Sequence, residues 1–309
     1  MAHPKITVVG AGNVGATAAL FCAQRDLADV VLVDVVEGLA EGKALDLTEA
    51  APILGTSHSI TGTTDYGPTA GSDLAIVTAG LARKPGMSRD DLLARNAEIV
   101  SGVVKELVAR SPEIILVIVS NPVDAMTALA HRASGLPPER VVGMAGVLDS
   151  ARMRAFLAME AGVSPKDIQA YVLGGHGDSM VPLVRHSSIG GAPVASRLSQ
   201  DQVEAIVERT RGAGAEIVAL LKTGSAYYAP SAAAVEMAEA ILRDRKCVMP
   251  CAAWCQKEYG VGGYFVGVPA RLGSGGVEEI VEVDLTDKEH AAFARSVEHV
   301  KSLVASIKV

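Results

Sequence analysis

Gly174-Gly175-His176-Gly177-Asp178 follows the apolar run Ile168 to Leu173, which places an imidazole between glycines at the end of a buried-strand pattern. The glycines remove side-chain bulk, so the backbone can turn sharply and other groups can approach the ring. Histidine's ordinary pKa lies nearest neutrality, which suits His176 to accept and return a proton. A single histidine carries no chemistry without a partner for the proton, a charged grip for a substrate and an oxidant. Asp149 and Arg152, in Leu148-Asp149-Ser150-Ala151-Arg152, are three apart on a predicted helix and share one face, so both can point into one cleft. In isolation such a pair is a surface ion pair worth well under ~1 kcal/mol. Arg83 and Arg89 fall in Leu81 to Asp91, a stretch whose Pro85 and Gly86 deny it regular structure. Such a loop after a strand either folds over a ligand as a lid or stays a solvated basic loop, and both readings stand on these residues. Asn121 closes another strand in Ser120-Asn121-Pro122. Its amide suits a ribose or a substrate oxygen, while Asn-Pro is also a plain turn starter.

The oxidant is implied at the other end of the chain. Lys5 to Val9 is an apolar strand followed by Gly10-Ala11-Gly12-Asn13-Val14-Gly15 and an alanine-rich helix to about Ala23. This is G-x-G-x-x-G between strand and helix, the context its mechanism demands: a tight turn, a close approach of pyrophosphate to backbone, and close packing of helix on sheet. N–H groups at the helix start face the phosphates. A second strand, Val30 to Val33, ends at Asp34. An acid there accepts hydrogen bonds from the adenosine ribose and repels a 2′-phosphate, so NAD is favoured over NADP. The expected cofactor contacts are Gly10, Ala11, Gly12, Asn13, Val14, Gly15, Asp34, Thr78, Ala79, Gly80, Asn96, Val119, Ser120 and Asn121.

The elements that position these residues alternate between strand and helix. Further buried strands are predicted at Leu74 to Thr78, Ile114 to Val119 and Arg140 to Gly143, the last completing the sheet, with a short strand in His58 to Thr64. Helices are predicted over 37–51, 89–110 and 123–134, the second capped by Ser88 with Asp91. This period indicates an α/β fold with a doubly wound parallel Rossmann sheet. From Gly146 the pattern changes. A helix to about Ala161 and the single strand Ile168 to Leu173 lead to a hairpin about Gly190-Gly191, helices over 200–221 and 232–242, strands at 247–254, 264–268 and 277–283, and an amphipathic last helix over 287–307. Small residues in Gly224-Ser225-Ala226 leave room in a pocket wall. The expected division is 1–146, an NAD-binding domain, and 147–309, an α+β catalytic and substrate domain with antiparallel strands.

Composition excludes several classes. The chain has 309 residues, 49% hydrophobic and 20% charged, and fits two globular domains. No apolar run approaches the roughly 20 residues of a membrane span. No signal peptide is recognisable, so a cytoplasmic location is expected. With a formal net charge of −7 and dispersed basic residues, nucleic acid is not an expected partner. Cys247, Cys251 and Cys255 lie on a predicted strand, where a four-residue step extends about 13 Å and closes no metal site. No resident metal is expected.

Taken in order, the glycine loop, Asp34, Arg83-Lys84-Pro85-Gly86-Met87-Ser88-Arg89, Ser120-Asn121-Pro122, Leu148-Asp149-Ser150-Ala151-Arg152 and Gly174-Gly175-His176-Gly177-Asp178 resemble the lactate and malate dehydrogenase superfamily over nearly the whole chain. They look most like its lactate-dehydrogenase-like malate branch. The resemblance implies His176 as proton acceptor, Asp149 as its carboxylate partner, Arg152 as the grip on the C1 carboxylate, and Arg89 as the group polarising the reacting oxygen. Arg83 falls where malate enzymes carry arginine and lactate enzymes usually glutamine, which points to a dicarboxylate, malate or oxaloacetate. A lactate or other 2-hydroxy acid dehydrogenase is the alternative. The resemblance also implies a homodimer or homotetramer. Physical chemistry agrees: three arginines drawn into one dry pocket are costly unless anions meet them, and a dianion with a carboxylate at each end does so.

Overall fold

The computed structural model describes residues 3–81 and 89–307, without the side chains of residues 89 and 90. Apolar runs near the chain start form β1 (Lys5–Val9), β2 (Asp29–Val33), β3 (Ile60–Thr63), β4 (Leu74–Val77), β5 (Ile115–Ile118) and β6 (Val141–Gly143). They pair in parallel in the order β3-β2-β1-β4-β5-β6. Every residue of β4 and β5 is buried, which is why they read as continuous apolar runs without alternation. Four helices make the crossovers: α1 (Asn13–Gln24), α2 (Leu39–Leu54), α3 (Arg89–Arg110) and α4 (Val123–Ser134). Strand order reverses between β1 and β4, and a crevice at the carboxyl ends of such strands is where doubly wound sheets take ligands.

Beyond α5 (Gly146–Ala161) the strands shorten: β7 (Ile168–Gln169), β8 (Val172–Leu173), β9 (Val181–Pro182), β10 (Ser188–Ile189) and β11 (Ala192–Pro193). Long helices follow, α6 (Gln200–Leu221) and α7 (Tyr228–Leu242), then β12 (Cys247–Cys255), β13 (Tyr264–Gly273), β14 (Gly276–Ile280) and α8 (Asp287–Ala305). Capping boxes at Ser199 with Gln202 and at Thr286 with Glu289 start α6 and α8.

Two local expectations change. The run Ile168 to Leu173 is two strands, because β7 pairs with β10 while β8 pairs with β9. Its ends serve different cores, Ile168 in a small cluster with Met153, Leu157 and Ile206, and Leu173 in the large cluster around the main sheet. The sheet also does not finish at β6. Gly143 pairs antiparallel with Ala252, and β12, β13 and β14 extend it to nine strands among the described residues. The expected cap at Ser88 lies outside the described residues. No helix among the described residues is long and apolar enough to cross a membrane.

Candidate active site

The glycine turn between β1 and α1 is sterically fixed. Gly10 has φ +101°, and a Cβ there would lie 2.7 Å from Thr78 Oγ1. A Cβ on Gly15 would lie 1.7 Å from the Gly10 carbonyl oxygen, so helix and turn touch without room for a methyl group. Gly12, by contrast, has open space on its Cβ side and is the N-cap of a helix that no side chain caps. Uncapped N–H groups beside an open approach fit a pyrophosphate. Asp34, at the end of β2, accepts from the Ala11 N–H at 2.6 Å and the Val36 N–H at 3.0 Å. The carboxylate expected to meet a ribose therefore also braces the glycine turn.

The neighbouring strand ends are laced together. Thr78 Oγ1 donates to the Val9 and Gly10 carbonyls at 3.0 and 3.1 Å. Ser120 Oγ donates to the Ala79 carbonyl at 2.5 Å. Asn96 is buried; its Nδ2 donates to Asn121 and Leu81 carbonyls at 2.8 and 3.3 Å, and its Oδ1 accepts from the Leu81 N–H at 2.8 Å. Its amide thus joins the loops after β4 and β5, while Asn121 keeps an exposed side chain.

His176 is held by its backbone neighbourhood. Three successive N–H groups find partners on three distant elements: Gly174 donates to the Gly267 carbonyl on β13 at 2.8 Å, Gly175 to Ser296 Oγ on α8 at 2.8 Å, and His176 to Asp124 Oδ2 on α4 at 2.9 Å. Gly174 has φ +83°, and a Cβ there would stand 2.5 Å from Ser296 Oγ. The imidazole itself meets Asp149 Oδ2 through Nδ1 at 2.8 Å. Since an ionised carboxylate only accepts, Nδ1 carries the hydrogen in the neutral ring and Nε2 bears the lone pair. Asp149 Oδ1 accepts from Arg152 Nη1 at 3.3 Å. Asp149 is 2% exposed and His176 20%, so the carboxylate lies behind the ring and the ring faces outward.

The electrostatics follow from this packing. Burial works to lower the pKa of His176, but the carboxylates of Asp149 and Asp124 outweigh it and hold the imidazole above its ordinary value. Burial pushes the Asp124 carboxyl up to about 6, against the pull of the His176 N–H and ring. Asp124 was not among the expected site residues. Its signal was a charged residue in a helix turn whose neighbours, Val123 through Ala130, are all buried. Asp124 Oδ1 and Arg152 Nε are buried with no hydrogen-bond partner among the described residues. A guanidinium with an unsatisfied N–H beside a catalytic-type histidine fits an arriving carboxylate.

A cleft of about 550 Å³ joins these parts. Val14, Thr78, Gly80, Val119 and Asn121 line the dinucleotide side, and Arg152 with His176 the other. The far wall comes from α6 and the following loop, where Ser225 and Ala226 of the expected small-residue stretch line the cleft together with Gly212 and Gly214 of α6, which were not among the expected residues. The structure thus brings together His176, Asp149, Arg152, Asn121 and the glycine turn. Arg83 lies outside the described residues, as does the side chain of Arg89, whose backbone begins α3.

Residues 4–143 match the family model for the lactate/malate dehydrogenase NAD binding domain, and residues 146–308 that for the lactate/malate dehydrogenase alpha/beta C-terminal domain. The chain is 58% identical over 309 residues to a malate dehydrogenase of Rhodopirellula baltica, covering 99% of this chain and 98% of that one. The solved structure of a malate dehydrogenase from Salinibacter ruber superposes with a TM-score of 0.94 at 53% identity, covering 98% and 97% of the two chains. A lactate dehydrogenase from Cryptosporidium parvum, complexed with lactic acid and nicotinamide adenine dinucleotide, gives a TM-score of 0.95 at 42% identity over 99% and 98%.

Proposed function

The chain belongs to the lactate/malate dehydrogenase family, and from that premise we propose that it is an NAD-dependent malate dehydrogenase, interconverting (S)-malate and oxaloacetate. The fold does not choose between malate and lactate, since relatives named for each superpose equally well. The malate reading is favoured by relatives of that name at 52–58% identity over nearly the full chain. The arginine at position 83 supports it.

The observation that carries the mechanism is the buried Asp149 bridging His176 Nδ1 and Arg152 Nη1. NAD, when bound, supplies the two-electron acceptor for the hydrogen on C2 of the alcohol. The glycine turn, Asp34 and the open start of α1 would hold the dinucleotide. His176 Nε2 takes the hydroxyl proton as the carbonyl forms and returns it in the reverse reaction. Asp149 fixes the tautomer that leaves Nε2 able to accept, and its charge stabilises the imidazolium. Arg152 binds the C1 carboxylate as a planar fork, which lysine cannot reproduce. Arg89 polarises the C2 oxygen and Arg83 pairs with the distal carboxylate; both assignments rest on the family resemblance. Asn121 orients the substrate oxygen or the nicotinamide ribose.

Residues 1–146 serve the cofactor and 147–309 the substrate. The enzyme acts in the cytoplasm as a homodimer or homotetramer. Support for self-association comes from large apolar side chains left exposed on helices, Leu45 and Ile53 on α2 and Leu220 and Leu221 on α6.

The test follows NADH absorbance with oxaloacetate and pyruvate side by side. Oxaloacetate should be strongly preferred, because pyruvate leaves the Arg83 charge unmet, and breaking a buried pair costs on the order of 3 to 5 kcal/mol. Arg83→Gln should depress kcat/KM for oxaloacetate far more than for pyruvate; an unchanged ratio overturns the assignment of Arg83.

A further inference from the structure

At the amino-terminal edge of the parallel sheet, opposite the cleft, residues far apart in sequence converge. His3 precedes β1, Asp29 opens β2 and His58 precedes β3, so the pairing of these three strands sets their starts side by side. His3 Nδ1 and His58 Nδ1 are 3.2 Å apart, and His58 Nδ1 is 3.7 Å from Asp29 Oδ1. One ligand atom from each residue lies within 4.8 Å of the others. A tetrahedral ion with ligands at about 2.0 to 2.1 Å separates neighbouring ligand atoms by roughly 3.3 Å, close to the spacing of the two imidazole nitrogens. A single proton can bridge two of these three groups. A divalent cation can engage all three.

The surroundings are organised behind the ligand atoms. Asp29 Oδ1 accepts from Ser59 N–H at 2.8 Å and Ser59 Oγ at 2.9 Å, which fixes the carboxylate. The other nitrogen of His58, Nε2, faces Asp26 Oδ1 at 3.7 Å, and Asp26 is in turn held by Thr56 Oγ1 at 2.8 Å and Ser57 N–H at 3.2 Å. The separation is too long for a hydrogen bond, but a carboxylate on the side of the non-ligating nitrogen is placed to favour the charge an ion would bring to the ring. The His58 side chain is only 10% exposed, whereas His3 is exposed and completes the site from the chain start.

We propose that His3, Asp29 and His58 form a binding site for one borderline divalent cation of the Zn²⁺ type, independent of the catalytic cleft. Two imidazoles and one carboxylate select zinc, cobalt, nickel or copper over magnesium or calcium, which prefer all-oxygen sites. The ion ties together the starts of three strands and acts as a staple on this edge of the sheet.

The test uses the full chain, stripped with a chelator and titrated with Zn²⁺ by calorimetry and with Co²⁺ by visible absorption. The expected result is one ion per chain, four-coordinate cobalt bands, and a thermal midpoint raised by Zn²⁺. His3→Ala and His58→Ala should each weaken binding by at least about tenfold and abolish the thermal shift. Because His3 is exposed and remote from the cleft, His3→Ala should fold and keep its metal-free turnover of oxaloacetate. Absence of stoichiometric binding, or Zn²⁺ affinity equal in wild type and His3→Ala, overturns the proposal.

Discussion

Replacing Asp149 with asparagine tests the link between geometry and chemistry most directly. The substitution preserves shape and burial but removes the charge behind His176. Charges separated by about 4 Å in an effective dielectric of about 20 attract by ~4 kcal/mol. The imidazolium formed as malate is oxidised loses an interaction of that order, equivalent to roughly a thousandfold in rate at ~1.4 kcal/mol per tenfold. A tautomeric effect adds to it. With an amide N–H facing His176, Nδ1 becomes the acceptor and the ring hydrogen moves to Nε2, the atom meant to receive the substrate proton. Arg152 also loses its ionised partner, so the KM for malate should rise while kcat falls. The assay is steady-state malate oxidation across pH, with NADH affinity measured separately by fluorescence. NADH should bind nearly as in wild type, because Asp149 is remote in role from the glycine turn. If kcat/KM for malate falls by less than tenfold, Asp149 neither fixes the His176 tautomer nor stabilises the imidazolium, and the assignment fails.

Other consequences are as direct. His176 is held above its ordinary pKa by Asp149 and Asp124 against burial, so the oxaloacetate-binding, protonated form persists to higher pH than a free histidine allows. Dissociation constants of the two substrates from their NAD(H) complexes should show opposite pH trends, oxaloacetate weakening and malate tightening as pH rises; parallel trends contradict the role of His176. Asp124, raised to about 6, releases its proton in the unfolded chain first. Its own contribution to native stability is therefore lost as pH rises between about 4 and 6, by on the order of 3 kcal/mol, and urea titrations of wild type and Asp124→Asn across that range should differ by this slope. Gly15→Ala forces a methyl against the Gly10 carbonyl and should abolish NADH binding and lower the melting temperature, whereas Gly12→Ala, with open space, should fold as wild type.

Elements fixed by local sequence were the most legible. The strand, glycine turn and helix at residues 5–24 announce themselves because steric rules act within a few residues, and β4 and β5 because burial on both faces demands unbroken apolar runs. Asp149 and Arg152 were visible as one face of a helix. What sequence concealed depends on distant partners. Ile168 to Leu173 reads as one strand, yet its two ends join different strands and different cores. Asp124 looks like an ordinary helix-turn acid until the His176 backbone descends onto it. Cys251 and Cys255 are buried thiols on β12, and burial raises the pKa of both.

The antiparallel ribbon β12–β14 joins the first half of the molecule along β6. Helix α7 likewise closes on α1, where Ser231 Oγ donates to the Val14 carbonyl and Glu236 and Glu239 grip Arg25. The two halves of the chain are consequently woven into one piece of cloth. A fragment cut after residue 146 would bare the flank of β6 and uncover α1, inviting strand-by-strand clumping in place of a free-standing dinucleotide binder. Swinging one half away from the other would break the β6–β12 pairing and the Arg25 ion pairs at once.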